Sequence, residues 1–187
     1  MAAPAALSST LVLLLVAFTA SRVGAATFYI TNGCASTVFP GAIPVARGVG
    51  GTDLKPGETW ALKVDAGASG RIWPRTGCSF DPVTGQGGCD TGDCGGVLRC
   101  VLPGKPPATL AEFTIGEDGG APDIYGISVV DGFSIPMEFS CSPGGIADGV
   151  VRCMDAGCPD ANHHPGDGKY RTCQGDSEYQ IVLCPST

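Results

Sequence analysis

Ten cysteines constrain this chain more than any other feature: Cys34, Cys78, Cys89, Cys94, Cys100, Cys141, Cys153, Cys158, Cys173 and Cys184. An even count in an oxidising compartment reads as a disulfide framework, here of five bridges, and a fold stapled that densely asks less of its hydrophobic core. Zinc is the other use of clustered cysteines, but it favours tight Cys-x-x-Cys pairs with histidine partners. The closest cysteines here have four or five residues between them, so no metal is expected. Ten thiols can pair in on the order of a thousand ways, and spacing alone does not choose among them. The placing of Cys34 and Cys184 suggests a staple joining the two ends of the folded chain.

Whether those thiols are oxidised depends on where the chain goes. Met1 to Thr10 carries no charged side chain, Leu11 to Ala20 is largely apolar, and Val23-Gly24-Ala25 supplies the small residues a signal peptidase accepts. Residues 1–25 are therefore expected to be a signal peptide, cut after Ala25, with one domain over residues 26–187. The apolar run is too short to cross a bilayer core of roughly 30 Å, and no later stretch has membrane length, so no stable membrane anchor is expected. Asn32 and Asn162, the only asparagines, stand outside Asn-x-Ser/Thr acceptors. The whole chain has 18 acidic against 11 basic residues, a formal charge of −7, and losing Arg22 with the leader makes it more negative still. Such a chain is a poor partner for a phosphate backbone, which excludes nucleic acid.

The 29 glycines and 15 prolines are far more than a helical bundle tolerates. Short alternating or β-branched segments recur instead at Thr27–Thr31, Thr59–Val64, Arg71–Trp73, Leu110–Ile115, Ile124–Val130, Ile135–Ser140 and Tyr179–Leu183. Turn signals such as Lys55-Pro56-Gly57-Glu58, Asp118-Gly119-Gly120 and Ser142-Pro143-Gly144-Gly145 separate them. The pattern predicts an all-β sandwich in one domain, with the first and last strands as neighbours.

The stretch from Gly85 to Cys100, with Cys89-Asp90-Thr91-Gly92-Asp93-Cys94 at its centre, resembles the signature of thaumatin-like proteins, the pathogenesis-related group five of plants. Ala26-Thr27-Phe28-Tyr29-Ile30-Thr31-Asn32, Trp73-Pro74-Arg75-Thr76-Gly77-Cys78, Thr109-Leu110-Ala111-Glu112-Phe113, Val130-Asp131-Gly132-Phe133, Cys158-Pro159-Asp160-Ala161 and Tyr179 to Pro185 are similar to the family in order. Full-length members have sixteen cysteines and a loop-rich second domain; this chain resembles the small ten-cysteine type of grasses, with that second domain mostly absent. The resemblance implies a flattened β-sandwich and the pairs Cys34–Cys184, Cys78–Cys89, Cys94–Cys100, Cys141–Cys173 and Cys153–Cys158.

It also implies a glucan-binding acidic cleft, carried over here onto Arg71, Glu112, Asp131 and Asp160. A fifth position departs: where relatives read Asp-Ile-Ser, this chain has Gly126-Ile127-Ser128. Asp123 is no substitute, because an offset of three along a strand reaches the opposite face unless a bulge intervenes. Restoring a carboxylate with Gly126→Asp is expected to strengthen binding if residue 126 lies in a regular strand. Carboxylates suit a neutral sugar because each accepts several hydroxyl donors, while Arg71 supplies donors. Each contact displaces water and nets about 0.5 to 1.5 kcal/mol, up to about 3 where a charge is involved, so affinity should be micromolar or weaker. Taken alone, Arg71 with Glu112 would be a surface ion pair worth about 0 to 1 kcal/mol. Most aromatic residues are expected in the core, with Phe80 and Phe133 nearest the cleft in sequence.

The resulting expectation is a secreted, apoplastic, monomeric plant defence protein, antifungal through binding β-1,3-glucan of fungal walls. Hydrolysis is a lesser expectation. A weak endo-β-1,3-glucanase would need two carboxyls about 5 to 5.5 or 6.5 to 9.5 Å apart, such as Glu112 and Asp131. No Ser-His-Asp pattern or cofactor motif accompanies them, and no cofactor is expected. His163 and His164 share a Pro/Gly-rich loop and read as solvent-exposed. The rival reading comes from small cereal relatives that look like inhibitors of microbial endoxylanases, for which His163 or a loop arginine would enter the enzyme's cleft.

Overall fold

In the computed structural model, residues 25–44, 50–117, 121–142, 149–174 and 178–186 are described. The expected leader lies outside them apart from Ala25, as do the turn at 118–120 and most of the turn that begins at Ser142. Twelve strands are found: β1 (Ala25–Asn32), β2 (Gly41–Ile43), β3 (Thr59–Asp65), β4 (Ser69–Trp73), β5 (Ser79–Phe80), β6 (Gly87–Gly88), β7 (Leu110–Thr114), β8 (Asp123–Ser128), β9 (Met137–Ser142), β10 (Val151–Cys153), β11 (Arg171–Cys173) and β12 (Glu178–Leu183). There is no α-helix among the described residues. All seven predicted strands are present. The five that were not foreseen are two or three residues long, too short for an alternating pattern to register.

Ten of the strands build two sheets, in the order β10-β9-β12-β1-β3 and β11-β8-β7-β4-β2, and β5 pairs with β6 as a separate ribbon. The expected all-β sandwich is present without a second domain among the described residues. The first and last strands are neighbours as predicted, and they run parallel, with Phe28 opposite Tyr179 and Asn32 opposite Leu183. Both strands alternate buried and less buried residues along their length, the period-two mark of a sheet with one face on a core. Phe28, Phe113, Tyr125, Phe139 and Tyr179 meet between the sheets, with ring centroids 4.5 Å apart for Phe28 and Phe113 and 4.9 Å for Tyr125 and Phe139. Tilted and edge-on contacts of this kind add to what their burial contributes.

The five disulfides are the five that the resemblance implied. Cys34–Cys184 continues the β1–β12 ladder, where the Gly33 amide already donates to the Leu183 carbonyl at 2.8 Å. A second, smaller core of Trp73, Cys94, Cys100, Ala108 and Leu110 lies under the cysteine-rich loop that follows β4. Arg75 organises that loop from inside. Fully buried, it donates to the carbonyls of Phe39 at 2.8 Å, Val97 at 2.9 Å and Leu98 at 2.7 Å. Burial lowers its pKa to about 10, opposed by Asp93, so the guanidinium remains charged at neutral pH with its donors spent on carbonyls.

Candidate functional site

The register of the second sheet places the candidate site. Ile43 stands opposite Arg71, Arg71 opposite Glu112, and Glu112 opposite Gly126, so these four form one row across β2, β4, β7 and β8. Their neighbours Ile72, Ala111 and Ile127 are fully buried in the core, so side chains of the row face outward by alternation. Two residues along one direction the outer face is covered by the cysteine-rich loop, through Trp73 and Leu110. In the other direction it is open and carries Ser69, Thr114 and Ile124, with the Ser69 and Thr114 hydroxyls 2.9 Å apart. The groove lies where that cover ends.

One lobe of the groove, about 560 Å³, has Ile43, Pro44, Ser69, Thr114 and Ile124 in its walls. The other, about 350 Å³, has Ser128, Asp131, Asn162 and His164. Arg71, Glu112 and Tyr170 line both lobes and form their junction. Arg71 Nη1 lies 3.4 Å from Asp131 Oδ2, so its observed ion partner is Asp131, at the turn after β8, rather than the Glu112 directly opposite. Both partners are about one-third exposed, which keeps the pair modest in energy and available to a ligand. Glu112 is half-buried; desolvation raises its pKa, Arg71 opposes the rise and Asp131 adds to it. It is thus the group in the groove that holds a proton more readily than an ordinary glutamate.

Arg71, Glu112 and Asp131 are brought together, whereas Asp160 is not. Asp160 lies 3.7 Å from Arg171 and lines neither lobe. Arg171 stands opposite Tyr125, whose ring is in the core, so Arg171 and its partner are on the far side of β11 from the groove. Asp123 behaves as the alternation argument required. It is 1 % exposed on the inner face, accepting from the Gly116 amide at 2.7 Å and from the Tyr179 hydroxyl at 2.7 Å.

Gly126 does lie in a regular strand, but the space above it is taken. A Cβ there would stand 2.9 Å from the Lys169 carbonyl oxygen and 3.0 Å from Tyr170 Cδ1. The expectation that a carboxylate at this position would add a sugar acceptor is therefore corrected: no room exists for one without moving Tyr170. The same packing reveals the residue that sequence reasoning missed. Phe80 pairs with Phe39 at 5.6 Å and Phe133 packs on the main core, so neither of the two aromatics nearest in sequence lines the groove. Tyr170, 45 % exposed, does. A glycine inside a strand commonly marks close approach by another segment, and that was the available signal.

The segment carrying Tyr170 is held at its start by Asn162, which is buried and bridges in register to Ser128. Asn162 Oδ1 accepts from the Lys169 amide at 2.9 Å, and its backbone amide donates to the Ile127 carbonyl at 2.9 Å. Between them Asp167 accepts from the His163 amide at 2.9 Å and lies 3.5 Å from Lys169 Nζ. The hydrogen bond from the His163 amide is the main reason the Asp167 pKa is lowered, helped by Lys169 and His164. His163 Nε2 is 2.8 Å from the Cys158 carbonyl, which ties its ring back to the loop, while His164 is exposed beside the groove.

Comparison with known proteins gives concordant results. The model of the thaumatin family matches residues 32–178. A thaumatin-like protein of Oryza sativa subsp. japonica is 52 % identical over 188 residues, covering 99 % of this chain and 100 % of its own length. Pathogenesis-related protein 1C of Hordeum vulgare is 50 % identical over 181 residues, covering 95 % of this chain and 99 % of its own. Among solved structures, the thaumatin-like xylanase inhibitor TLXI is similar at 38 % identity with a TM-score of 0.68, over 84 % of this chain and 99 % of that one.

Proposed function

The chain belongs to the thaumatin family and is similar to the pathogenesis-related proteins of grasses, and from this we propose that it is a secreted, monomeric plant defence protein that binds β-1,3-glucan of fungal walls. The observation that carries the reading is the junction of the groove, where Arg71, Glu112 and Asp131 share one outward face. A glucan strand offers alternating hydroxyl donors and acceptors along an extended chain, and an open groove lined by one fork of donors and two carboxyls answers both. Contacts of this type net about 0.5 to 3 kcal/mol each. Two or three of them give micromolar or weaker binding to a short oligosaccharide and retention on an insoluble polymer through many sites. Asp160, held by Arg171, is left out of the binding set.

Sedimentation with insoluble β-1,3-glucan at pH 6 tests this directly. Wild-type protein is expected in the pellet, and Arg71→Ala and Glu112→Ala in the supernatant at equal folded concentration; equal retention of all three removes the groove as the site. The supernatant is read as well for released reducing sugar, of which none is expected.

A second reading is favoured by one observation, the 38 % identity to a thaumatin-like xylanase inhibitor over nearly the whole of that protein. Here a loop of this chain would plug the cleft of a microbial endoxylanase. His163 and Arg99 are both exposed, His163 with its ring tied to the Cys158 carbonyl and Arg99 on the cysteine-rich loop. Titrating an endoxylanase with the protein decides between the readings: undiminished xylanase activity at excess protein, with wild type in the glucan pellet, keeps the first.

A further inference from the structure

Tyr170 is exposed at the junction of the groove, and its backbone is held in place. Three features hold it. The bare Cα of Gly126 lets the Lys169 carbonyl and the Tyr170 ring close onto β8. Asn162 clamps the Lys169 amide, and the Tyr170 amide donates to the Gly168 carbonyl at 3.0 Å in a turn that Gly168 closes at φ +73°. Phe113 is the other six-membered aromatic ring in the lining, and it is 4 % exposed, with its ring packed on Phe28 in the core. Tyr170 therefore presents the aromatic face that a ligand in this groove can reach. An exposed aromatic ring held in one place loses little conformational entropy when a ligand covers it.

The surroundings of the ring state what would cover it. On one side is an apolar floor from Ile43, Pro44 and Ile124, and on the other the polar cluster of Arg71, Glu112 and Asp131. A β-linked glucose ring has matching chemistry: its hydroxyls lie around the rim, and its faces carry only axial C–H groups. We propose that Tyr170 is the stacking platform of the groove, receiving the face of one glucosyl ring while Arg71, Glu112 and Asp131 engage the hydroxyls at its rim. Gly126 is then the seat that lets the aromatic ring in. This rests on the glucan reading above.

The test measures binding of a soluble β-1,3-gluco-oligosaccharide by calorimetry for wild type, Tyr170→Phe, Tyr170→Leu, Tyr170→Ala and Glu112→Ala, each confirmed folded by its thermal transition. Tyr170→Phe is expected to bind within about twofold of wild type, and Tyr170→Ala about tenfold more weakly, equivalent to roughly 1.4 kcal/mol. Tyr170→Leu, which keeps apolar bulk but not a flat face, should resemble Ala. In wild type, the axial sugar protons should shift upfield on binding and should not do so in Tyr170→Leu. If Glu112→Ala loses binding while all three Tyr170 variants keep it, the platform is wrong and the glucan reading stands. If wild type binds no oligosaccharide, both fall together.

Discussion

The Tyr179 hydroxyl on β12 donates to Asp123 Oδ2 on β8 at 2.7 Å, so one buried polar contact crosses from the first sheet of the sandwich to the second. The other oxygen of Asp123 accepts from the Gly116 amide at 2.7 Å, and Asp123 and Tyr179 are 1 % and 0 % exposed. Asp123 thus locks the sheets together and ties down the loop after β7, on the face of β8 opposite the groove. Tyr179→Phe keeps the ring stacked on Phe28, centroids 4.7 Å apart, and removes only the hydroxyl. It is expected to cost about 1 to 3 kcal/mol, since a buried carboxyl loses a partner that water cannot replace. At roughly 2–4 °C per kcal/mol for a domain of this size, a melting temperature within 1 °C of wild type would show that the contact contributes nothing.

The staple between Cys34 and Cys184 closes a loop with a sequence separation of 150, against 5 for Cys153–Cys158. On the chain-entropy account the first restrains the unfolded chain by roughly 5 kcal/mol and the second by roughly 2. Replacing both members of each pair by Ala should therefore lower the melting temperature more for Cys34/Cys184 than for Cys153/Cys158. Equal losses would mean that native-state contacts, and not loop length, govern the staples.

Much of this arrangement was legible because it is periodic or covalent. The strands with an alternating pattern and the inward orientation of Asp123 follow from period two, and the joining of the chain ends from the placing of Cys34 and Cys184. The five cysteine pairs followed from the family resemblance alone. Arg71, Glu112 and Asp131 converge because register sets two of them side by side and a turn returns the third. What was not legible depends on non-local packing. Asp160 matches the family motif in sequence, but the side of β11 on which Arg171 lies draws it from the groove. Tyr170 has no pattern around it; its place is fixed by Asn162, by Gly168 and by the missing side chain at Gly126, from three different parts of the chain.

Burial of Glu112 gives the protein a pH dependence with a definite sign. Its pKa is raised in the folded state, chiefly by desolvation, so the native chain keeps a proton that the unfolded chain has lost in the window between the two values. The contribution of Glu112 to stability is therefore greatest below the ordinary glutamate pKa of about 4.3, falls as pH rises through the raised value, and stays lower above it. Glu112→Gln, which cannot ionise, should melt about 1 to 3 °C higher than wild type at pH 7, an effect kept small by solvent in the open groove. The difference should close as both are titrated to pH 3. A variant less stable than wild type at pH 7 would mean that attraction to Arg71 outweighs desolvation.

Gly126→Asp, which would place a carboxyl on the row of Arg71 and Glu112, is expected to harm the protein. Replacing glycine in a regular strand ordinarily stabilises by about 0.4 to 1 kcal/mol, because the unfolded chain loses freedom. Against that, the new Cβ would stand 2.9 Å from the Lys169 carbonyl oxygen and 3.0 Å from the Tyr170 ring. The carbonyl is backbone, and its residue is clamped through the Lys169 amide to Asn162, so relief requires the whole segment to lift. Overpacking of this kind costs about 1 to 3 kcal/mol, and a third carboxyl beside Glu112 and Asp131 adds like-charge crowding. The collision wins: a net loss of about 1 to 2 kcal/mol, or roughly 2 to 8 °C, is expected, with weaker glucan retention because Tyr170 is displaced. Gly126→Ala separates the two causes, since it brings the Cβ without the charge and should reproduce most of the thermal loss. If Gly126→Ala is as stable as wild type and Gly126→Asp binds glucan more tightly, the groove has room for the carboxylate and Gly126 is not the seat of Tyr170.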